Sequence, residues 1–324
     1  MKITILGTGA YGLALSFMFH KNNHTITMWT KFEAECNLLK NTRENPTLLP
    51  GIKVPEEIIF TTNLIEAVKD ADIILIAVPA KFVDDLCLKL QGIVAKNTIL
   101  LIGSKGIEQD TCRFVSDVVE HYLSNEIAVI SGPSFAIDIA NNVPIGLTLA
   151  SRHQDTCSIV KQALENDCLK LRPTDDIIGV EICGAIKNVI AIASGMLDGM
   201  QLPISTKAMF ITESLHDIKS LINALDGNGK TILSFAGFGD LLLTCTSEKS
   251  RNFSFGKLIG SGASREELDR YLQNTTVEGL YTLQSIYQLL RNKQVDMPII
   301  DLIYDIVNHR KQPEALLTFL IEKA

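Results

Sequence analysis

The start of the chain reads KITILGTGAYGLALSFMF over residues 2–19. Lys2–Leu6 is β-branched and apolar, as buried strands are, and residues 13–19 have the composition of a helix. Between these two segments stand three glycines, Gly7, Gly9 and Gly12. A strand, a glycine turn and a helix in this order favour a turn that binds phosphate, because the helix N-terminus offers free N–H groups to an anion.

The rest of the first half repeats the alternation of apolar strands and amphipathic helices. Apolar runs follow at Thr25–Trp29, Ile73–Val78, Thr98–Ile102, Ile127–Ile130 and Ile145–Ala150, with helical segments such as Phe82–Leu90 and Arg113–Leu123 between them. Strands without polar alternation are typical of a parallel sheet that helices cover on both faces. We therefore predict an α/β fold with an N-terminal doubly wound Rossmann-type parallel sheet.

Beyond about Asp176 the β-branched runs give way to long segments with helical spacing. They are Ile177–Met200, Thr206–Ala224, Arg265–Tyr271, Leu280–Arg291 and Ile299–Asn308. This change predicts two domains, a dinucleotide-binding domain over residues 1–178 and an all-helical substrate-binding domain over residues 179–324.

Composition excludes several classes of protein. With 324 residues, 46% of them apolar, and a net charge of −7, the chain has the composition of a globular protein without a basic surface for nucleic acid. The seven cysteines are scattered, which indicates reduced, mostly buried thiols and no metal site. Because the longest apolar run that we identify, Ile73–Ala80, is too short for a bilayer span, we expect a cytoplasmic protein without one.

The glycine loop predicts a bound dinucleotide. Gly7 permits the tight turn, Gly9 lets the backbone approach a pyrophosphate, and Gly12 allows the helix to pack closely on the strand. The loop also includes Ala10 and Tyr11, which we count among the cofactor-binding residues.

The choice between NAD and NADP stays open at this stage. An acidic residue after the second strand binds the ribose 2′-hydroxyl of NAD. Here Lys31 has the charge that suits a 2′-phosphate, whereas Glu33 suits NAD. Phe32 either stacks on the adenine or is an exposed loop residue without that role.

Polar groups inside apolar segments mark the candidate chemistry. Ser104-Lys105-Gly106 follows a strand, Lys187-Asn188 lies in the middle of a helical segment, and Asp240 and Arg251-Asn252 flank another apolar run. Each group also has an ordinary explanation: Lys187 as a surface lysine, Arg251 as the partner of a carboxylate such as Glu248, and Asp240 as a helix N-cap.

Many ordered blocks together resemble the NAD(P)-dependent glycerol-3-phosphate dehydrogenases over essentially the whole chain. Besides the glycine loop, they include Asn45–Gly51, Lys105–Glu108, Ser131–Ala136, Gly184–Asn188, Gly239–Leu241, Ser250–Asn252, Val277–Gly279 and Met297-Pro298. The resemblance implies hydride transfer between C2 of sn-glycerol 3-phosphate and the nicotinamide of NAD or NADP, which gives dihydroxyacetone phosphate and supplies glycerol phosphate for phospholipid synthesis.

The resemblance also implies residue roles and a homodimer formed through the helical half. The catalytic residues of the family fall on Lys187, Lys105, Asp240 and Thr244, and its substrate-binding residues on Asn188, Arg251, Asn252 and Ser134. Its cofactor-binding residues fall on the loop, Lys31, Phe32, Pro79, Lys105, Ala136, Arg251 and Glu278. A lysine near a second cation has a lowered pKa, so we expect Lys187 beside Lys105 to serve as acid and base.

The chain departs from the family pattern at Asp138, Ser205 and Glu213, where similar proteins carry other residues. These departures keep an alternative open, a related NAD(P)-dependent dehydrogenase that acts on a different phosphorylated or carboxylated hydroxy compound. Retention of Lys105, Lys187 and Asp240 argues against a protein that has kept the fold and lost catalysis.

Overall fold

A computed structural model describes residues 1–109 and 111–322. Its contacts divide the chain into two compact units. The sheet unit comprises Met1–Lys105 and Val115–Ile177, and the helical unit comprises Gly106–Phe114 and Ile178–Ala324. The main division lies close to the predicted one, but a short segment from the first half packs with the helical unit. The division into a dinucleotide-binding domain (residues 1–178) and a substrate-binding domain (residues 179–324) stays a prediction.

The sheet unit is built on one eight-stranded sheet. Its strands are β1 (Lys2–Leu6), β2 (Thr25–Trp29), β3 (Ile59–Thr61), β4 (Ile73–Ile76), β5 (Ile99–Ile102), β6 (Ile127–Ser131), β7 (Ile145–Ala150) and β8 (Leu169–Thr174). They lie in the order β3-β2-β1-β4-β5-β6-β7-β8. The chain runs outward from β1 in both directions, so the carboxyl end of β1 lies at the point where the strand order reverses, which is where such sheets bind ligands.

The predicted α/β class is confirmed, with one correction to the sheet. Strand β7 pairs with β6 in antiparallel orientation, whereas the other neighbours are parallel. A continuous apolar run indicates burial on both faces but not direction, so nothing in Ile145–Ala150 revealed the reversal.

Two strands, β3 and β8, were not predicted. β3 has only three residues, and β8 alternates buried leucines with the exposed Lys170 and Arg172 before it reaches Pro173. Both lie at the edges of the sheet, where short strands, charges and proline are common.

Helices cover the sheet. They are α1 (Ala10–Lys21), α2 (Glu33–Thr42), α3 (Leu64–Val68), α4 (Val83–Leu90), α5 (Val115–Tyr122), α6 (Ala136–Ala140) and α7 (Gln154–Leu164). The apolar core of this unit joins buried side chains of α1, such as Leu13 and Phe19, to the strands, for example through Ile5 and Leu75.

The helical unit contains the remaining helices. They are α8 (Ile177–Gly199), α9 (Ile204–Ala224), α10 (Asp240–Thr246), α11 (Arg251–Gly260), α12 (Arg265–Asn274), α13 (Glu278–Lys293), α14 (Pro298–Val307) and α15 (Ala315–Glu322). A 3₁₀ turn at Gly229–Leu233 and a π-helical turn at Phe235–Gly239 precede α10. The core of the unit also contains Ile107, Cys112 and Phe114 from the segment of the first half.

Helix α8 corrects the expectation that no apolar segment of the chain is long enough to span a bilayer. Among the described residues, this 23-residue helix is long and apolar enough to cross a bilayer, which Ile73–Ala80 is not. However, 89% of its most apolar window is buried inside the protein, and core helices commonly meet the same criterion.

The cysteines are free, as expected, and six of the seven are buried. Burial raises the pKa of the Cys87 thiol to about 12, because the thiolate would lose its hydration. Cys168 is the partly exposed one, and Lys21 donates a hydrogen bond to its sulfur.

Glycines let α8 and α11 approach closely. A Cβ on Gly256 would lie 1.8 Å from the carbonyl oxygen of Ile192, and a Cβ on Gly195 would lie 2.0 Å from that of Phe253. Because backbone atoms form these contacts, no side-chain rotation relieves a clash. The crossing therefore requires glycine and fixes the position of α11.

We expect Gly256→Ala to lower the free energy of unfolding by about 3 kcal/mol, because the two helices must separate to admit the methyl group. Urea titration followed by circular dichroism measures the loss. Gly9→Ala is the matched control, since a Cβ on Gly9 meets nothing within 4 Å and its φ of −62° suits alanine. Equal stability of the two variants would contradict the prediction.

Candidate active site

The glycine loop joins β1 to α1 in the sheet unit. Gly7 has φ +118°, and a Cβ there would lie 2.8 Å from the carbonyl oxygen of Ala77. A Cβ on Gly12 would lie 2.5 Å from the carbonyl oxygen of Gly7. The loop is thus held against the end of β4 and against its own helix by contacts that no other residue type permits.

The loop fits a dinucleotide. The space above Gly9 is open, because nothing lies within 4 Å of a Cβ placed there. Gly9 supplies no side-chain cap to α1, and the first turn of the helix has no acidic residue. The helix N-terminus therefore presents N–H groups and a positive dipole end to a pyrophosphate without competition from a carboxylate.

The segment after β2 contains Lys31 and Glu33, the two residues that the sequence analysis considered for binding the ribose of NADP or NAD. Lys31 is exposed, with Nζ 5.0 Å from the ring centroid of Phe32 and 4.6 Å from that of Phe82. Phe32 is also exposed. Glu33 is exposed in the first turn of α2, whereas Glu35, one half-turn further on, points back to the sheet and accepts hydrogen bonds from Thr8 and Thr30.

Lys105 follows β5 at the same edge of the sheet. Its neighbour Ser104 donates a hydrogen bond to the carbonyl oxygen of Val78 (2.5 Å), which fixes the turn. The ammonium of Lys105 lies 5.9 Å from the ring centroid of Tyr11 and 3.5 Å from the carbonyl oxygen of Gly132. The glycine loop and the end of β6 thus meet at Lys105.

Three further predicted residues lie at the carboxyl ends of strands in this unit. Pro79 precedes a 3₁₀ turn after β4, and Ala136 begins α6 after β6. Ser134 donates a hydrogen bond to the carbonyl oxygen of Gly132 (3.2 Å). Nearby, the hydroxyl of Ser131 is buried and has no hydrogen-bond partner in the described part of the chain.

In the helical unit, Lys187 forms a buried ion pair. Its Nζ lies 2.8 Å from Oδ1 of Asp240 and 3.2 Å from Oγ1 of Thr244. The side chain of Lys187 is 12% exposed and that of Asp240 is 2% exposed. An ammonium and a carboxylate in such a place are stable only together, because removal of either leaves an uncompensated charge.

The local fold of α10 explains how Asp240 reaches Lys187. The π-helical turn Phe235–Gly239 runs directly into α10, so Asp240 has helical φ and ψ and does not cap the helix. Asp240 and Thr244 are four residues apart and share one face, and Thr244 donates to the carbonyl oxygen of Asp240 (2.6 Å). The N-cap interpretation of Asp240 was therefore wrong.

Cys245 lies beside this group and is fully buried. Burial raises the pKa of its thiol, which keeps the sulfur neutral. It therefore packs as an apolar side chain rather than as a nucleophile.

Two asparagines form a second buried network. Asn252 donates from Nδ2 to Oδ1 of Asn188 (3.0 Å) and accepts from the backbone N–H of Gly279 (2.8 Å). Both of its polar atoms are thus used inside the protein. Because Oδ1 of Asn188 is the acceptor, the network orients Nδ2 of Asn188 as a donor.

Arg251 begins α11 and is exposed, with Nη2 3.9 Å from Oε1 of Glu278. Its acidic neighbour is thus Glu278, while Glu248 pairs with Lys257. Ser250 caps the helix by accepting from the N–H of Phe253 (3.3 Å). The cap places the Arg251 guanidinium at the positive end of a helix.

The predicted residues of the helical unit thus form two buried networks, and several of those in the sheet unit lie near the glycine loop. The helical unit brings Lys187, Asp240 and Thr244 into contact, and it joins Asn188 to Asn252. The sheet unit gathers the loop, Lys105 and Ser134. Sequence reasoning missed the acceptor role of Glu35, which lies in α2, and the buried hydroxyl of Ser131. A polar residue at a strand end is a signal that identifies Ser131, the last residue of β6.

A doubly wound sheet with this glycine loop, accompanied by a helical unit with a buried lysine, defines a dinucleotide-dependent oxidoreductase. Residues 2–157 match the family described as NAD-dependent glycerol-3-phosphate dehydrogenase N-terminus, and residues 176–318 match its C-terminus. The chain belongs to the NAD-dependent glycerol-3-phosphate dehydrogenase family.

Individual relatives are similar over nearly the whole chain. A glycerol-3-phosphate dehydrogenase [NAD(P)+] of Thermoanaerobacter is 38% identical over 313 residues, which are 97% of this chain and 94% of the relative. One from Fusobacterium nucleatum is 36% identical over 96% of this chain and 93% of the relative. The crystal structure of the Coxiella burnetii glycerol-3-phosphate dehydrogenase is 29% identical, with a TM-score of 0.93 over 99% of both chains.

The asparagine network leads to a stability prediction. Asn252→Asp replaces the Nδ2 donor with a carboxylate oxygen that faces Oδ1 of Asn188, so two acceptors meet in a buried place. We expect the free energy of unfolding at pH 7 to fall by about 2 kcal/mol.

The loss should shrink as the pH is lowered through the pKa of the new carboxyl, because the protonated form donates again. Asn292→Asp is the control, since Asn292 is exposed and its Oδ1 only accepts from Gln288. Urea titrations at pH 7 and pH 5 compare the two, and an equal effect at both pH values would contradict the explanation.

Proposed function

We propose that this protein interconverts sn-glycerol 3-phosphate and dihydroxyacetone phosphate by hydride transfer with NAD(P). The observation that carries the proposal is the buried Lys187–Asp240–Thr244 group in a chain that matches this family over both halves. Charged groups buried in this way concentrate at functional sites, which supports a catalytic role for the pair.

The bound nicotinamide supplies or accepts the hydride. For its binding we assign the glycine loop to the pyrophosphate, supported by the open space above Gly9 and the uncapped start of α1. Lys31 and Phe32 lie at the end of β2, and Pro79 and Ala136 lie after β4 and β6, where they would border the nucleotide. Arg251 and Glu278 complete the assigned set.

For the chemical step we assign Lys187 as the acid and base. Oxidation of the C2 alcohol removes a hydride from carbon and a proton from the hydroxyl, and reduction returns a proton to the same oxygen. Thr244 and Asp240 contact Nζ of Lys187, so they position it. Lys105 is assigned as the second active-site lysine on the family resemblance.

For the phosphate of the substrate we assign Arg251 and Asn252 at the start of α11, with Asn188 and Ser134 as further substrate-binding residues. A guanidinium at a helix N-terminus suits a phosphomonoester dianion. Since both polar atoms of Asn252 are used internally, its role is to orient Asn188 and the helix start rather than to offer a free amide.

We also propose a homodimer formed through the helical unit. Its support is a set of large apolar side chains left exposed there, including Ile204 (71%) and Leu233 (78%). Ile204, Phe238 and Leu242 border one apolar cavity of about 320 Å³. A second copy is the occupant that we propose for this face, because exposed apolar patches mark interaction sites. We further propose that the protein is cytoplasmic and supplies glycerol phosphate for phospholipid synthesis. We propose no nucleic acid partner.

The activity is tested by steady-state kinetics. Purified protein should oxidise NADH or NADPH when dihydroxyacetone phosphate is present and remain inactive without it. A panel of other phosphorylated or carboxylated carbonyl compounds tests the rival substrate class, which Ser205 and Glu213 on α9 keep open. A better substrate without phosphate would favour the rival, and no turnover with either nucleotide would overturn the assignment.

Lys187→Met should reduce kcat by a factor of about 10²–10⁴, because it removes the proton donor. Because the buried Asp240 loses its partner in this variant, circular dichroism and thermal unfolding first verify that it is folded. The affinity for NADH, measured by fluorescence titration, should stay within about twofold. Lys257→Met is the control, since Lys257 forms ion pairs with Asp198 and Glu248 outside the assigned site. A kcat of Lys187→Met close to that of Lys257→Met would refute the role of Lys187.

Analytical ultracentrifugation should give a mass twice that of the 35.6 kDa chain. Leu242→Asp should shift the mass toward the monomer by placing a charge in the apolar face. Ile65→Asp is the control, because Ile65 is also an exposed aliphatic residue (65% exposed, against 41% for Leu242) but lies in the sheet unit. A monomeric wild-type protein, or the same behaviour of both variants, would reject the proposed face.

A further inference from the structure

A buried hydrogen bond joins α8 to α10. The hydroxyl of Ser194 donates to the carbonyl oxygen of Cys245 (2.8 Å). Ser194 is fully buried, and Cys245 is only 1% exposed. Because both partners are enclosed by protein, water cannot take the place of either one if the contact is lost.

This bond leaves the helix to which Ser194 belongs. A serine inside a helix can donate to the carbonyl oxygen four residues earlier in the same helix. Ser214 does so in α9, where its hydroxyl donates to the carbonyl oxygen of Phe210 (2.7 Å), and Ser285 does so in α13. The hydroxyl of Ser194 instead connects two separate helices.

The acceptor is a carbonyl group that α10 itself does not satisfy. A helix leaves its last four carbonyl groups without an N–H partner. Since α10 ends at Thr246, the carbonyl of Cys245 is among them. The N–H of Lys249, which a longer helix would use, donates to Oγ of Ser247 (3.3 Å). Ser194 therefore supplies the hydrogen bond that the end of α10 lacks.

The same two helices meet at the assigned acid and base. Lys187 precedes Ser194 by seven residues, which are about two turns and about 10 Å along α8. Both side chains therefore lie on the face of α8 that meets α10. Lys187 contacts Asp240 and Thr244, and Cys245, the acceptor of the serine, follows directly. Helix α10 is thus attached to α8 at two points.

A different contact holds the start of α10. The π-helical turn Phe235–Gly239 packs on the preceding 3₁₀ turn, since a Cβ on Gly237 would lie 2.2 Å from the carbonyl oxygen of Ile232. After α10, by contrast, the chain passes through exposed residues such as Glu248. Ser194 thus holds the end of the helix that leads into an exposed segment.

We propose that Ser194 is a positioning residue for the proton transfer assigned to Lys187. Its hydroxyl fixes the C-terminal end of α10, which keeps Asp240 and Thr244 at hydrogen-bonding distance from Nζ of Lys187. A small displacement of a proton donor costs much rate, because the transfer requires a defined distance to the reacting oxygen. The inference rests on the proposed function in one respect, that Lys187 is the acid and base.

Ser194→Ala tests the proposal by removing the hydroxyl. In steady-state assays with dihydroxyacetone phosphate, kcat should fall by about tenfold, because Lys187 loses its defined position. The KM for dihydroxyacetone phosphate and the affinity for the nucleotide should stay within about twofold, since the residues assigned to them lie outside α10. Independently of turnover, hydrogen exchange measured by mass spectrometry should become faster in residues 240–246.

Ser214→Ala is the matched control. It removes the same hydroxyl from another buried serine of the helical unit, but one that donates within its own helix. Its kcat and the hydrogen exchange of α10 should stay within about twofold of the wild-type values. Equal kcat values of the two variants would overturn the role of Ser194.

A double-mutant cycle separates positioning from a general loss of structure. Added to Lys187→Met, Ser194→Ala should lower kcat by less than about twofold, because the group to be positioned is already absent. The same loss in both backgrounds would overturn the proposal. Thermal unfolding sets an assay temperature at which the variants are folded. If Ser194→Ala does not fold, Ser194→Cys, which keeps a weaker donor, takes its place, and a wild-type kcat in that variant would overturn the proposal.

The outcomes separate the two levels of inference. A wild-type protein without turnover would overturn the proposed function, and this inference with it. An active wild-type protein with unchanged kcat and unchanged hydrogen exchange in Ser194→Ala would overturn the role of Ser194 alone. Loss of kcat and faster exchange in Ser194→Ala, with neither in Ser214→Ala, is the result expected.

Discussion

The helical unit is organised around the ion pair between Lys187 and Asp240. Each charge lies where water has little access, so each depends on the other and on the hydroxyl of Thr244 for its solvation. The π-helical turn before α10 runs directly into that helix, so Asp240 has helical φ and ψ and pairs with Lys187 instead of capping the helix. Helix α8 is apolar and mostly buried, so it packs tightly along its length. This packing holds Lys187, in the middle of the helix, at a defined position.

Close backbone approach at glycines sets the geometry of both units. In the sheet unit, Gly7 and Gly12 hold the loop against the end of β4 and against its own helix, and the space above Gly9 is open. In the helical unit, Gly256 seats α11 on α8, and this contact fixes the helix whose first turn carries Arg251 and Asn252. The residues assigned to phosphate groups therefore lie on segments that the backbone, rather than flexible side chains, keeps in place.

Much of the fold could be predicted because its signals are local. The strands Lys2–Leu6 and Thr25–Trp29 have the predicted bounds, since continuous apolar runs flanked by glycine or polar residues define them. The direction of β7 could not be predicted, because pairing between strands depends on distant residues. The same limit applies to the site. Chemistry indicated Lys187 and Asp240 as candidates, but their 2.8 Å contact depends on the turn before α10.

The segment Gly106–Phe114 has a consequence for the order of events during synthesis. It leaves the ribosome before Val115–Ile177, yet its side chains Ile107, Cys112 and Phe114 pack in a core made mostly by residues beyond 181. Ile107, Cys112 and Phe114 therefore emerge before the residues from Ile182 onward with which they share this core. A fragment that ends near residue 178 would contain these three side chains without the rest of the core in which they pack.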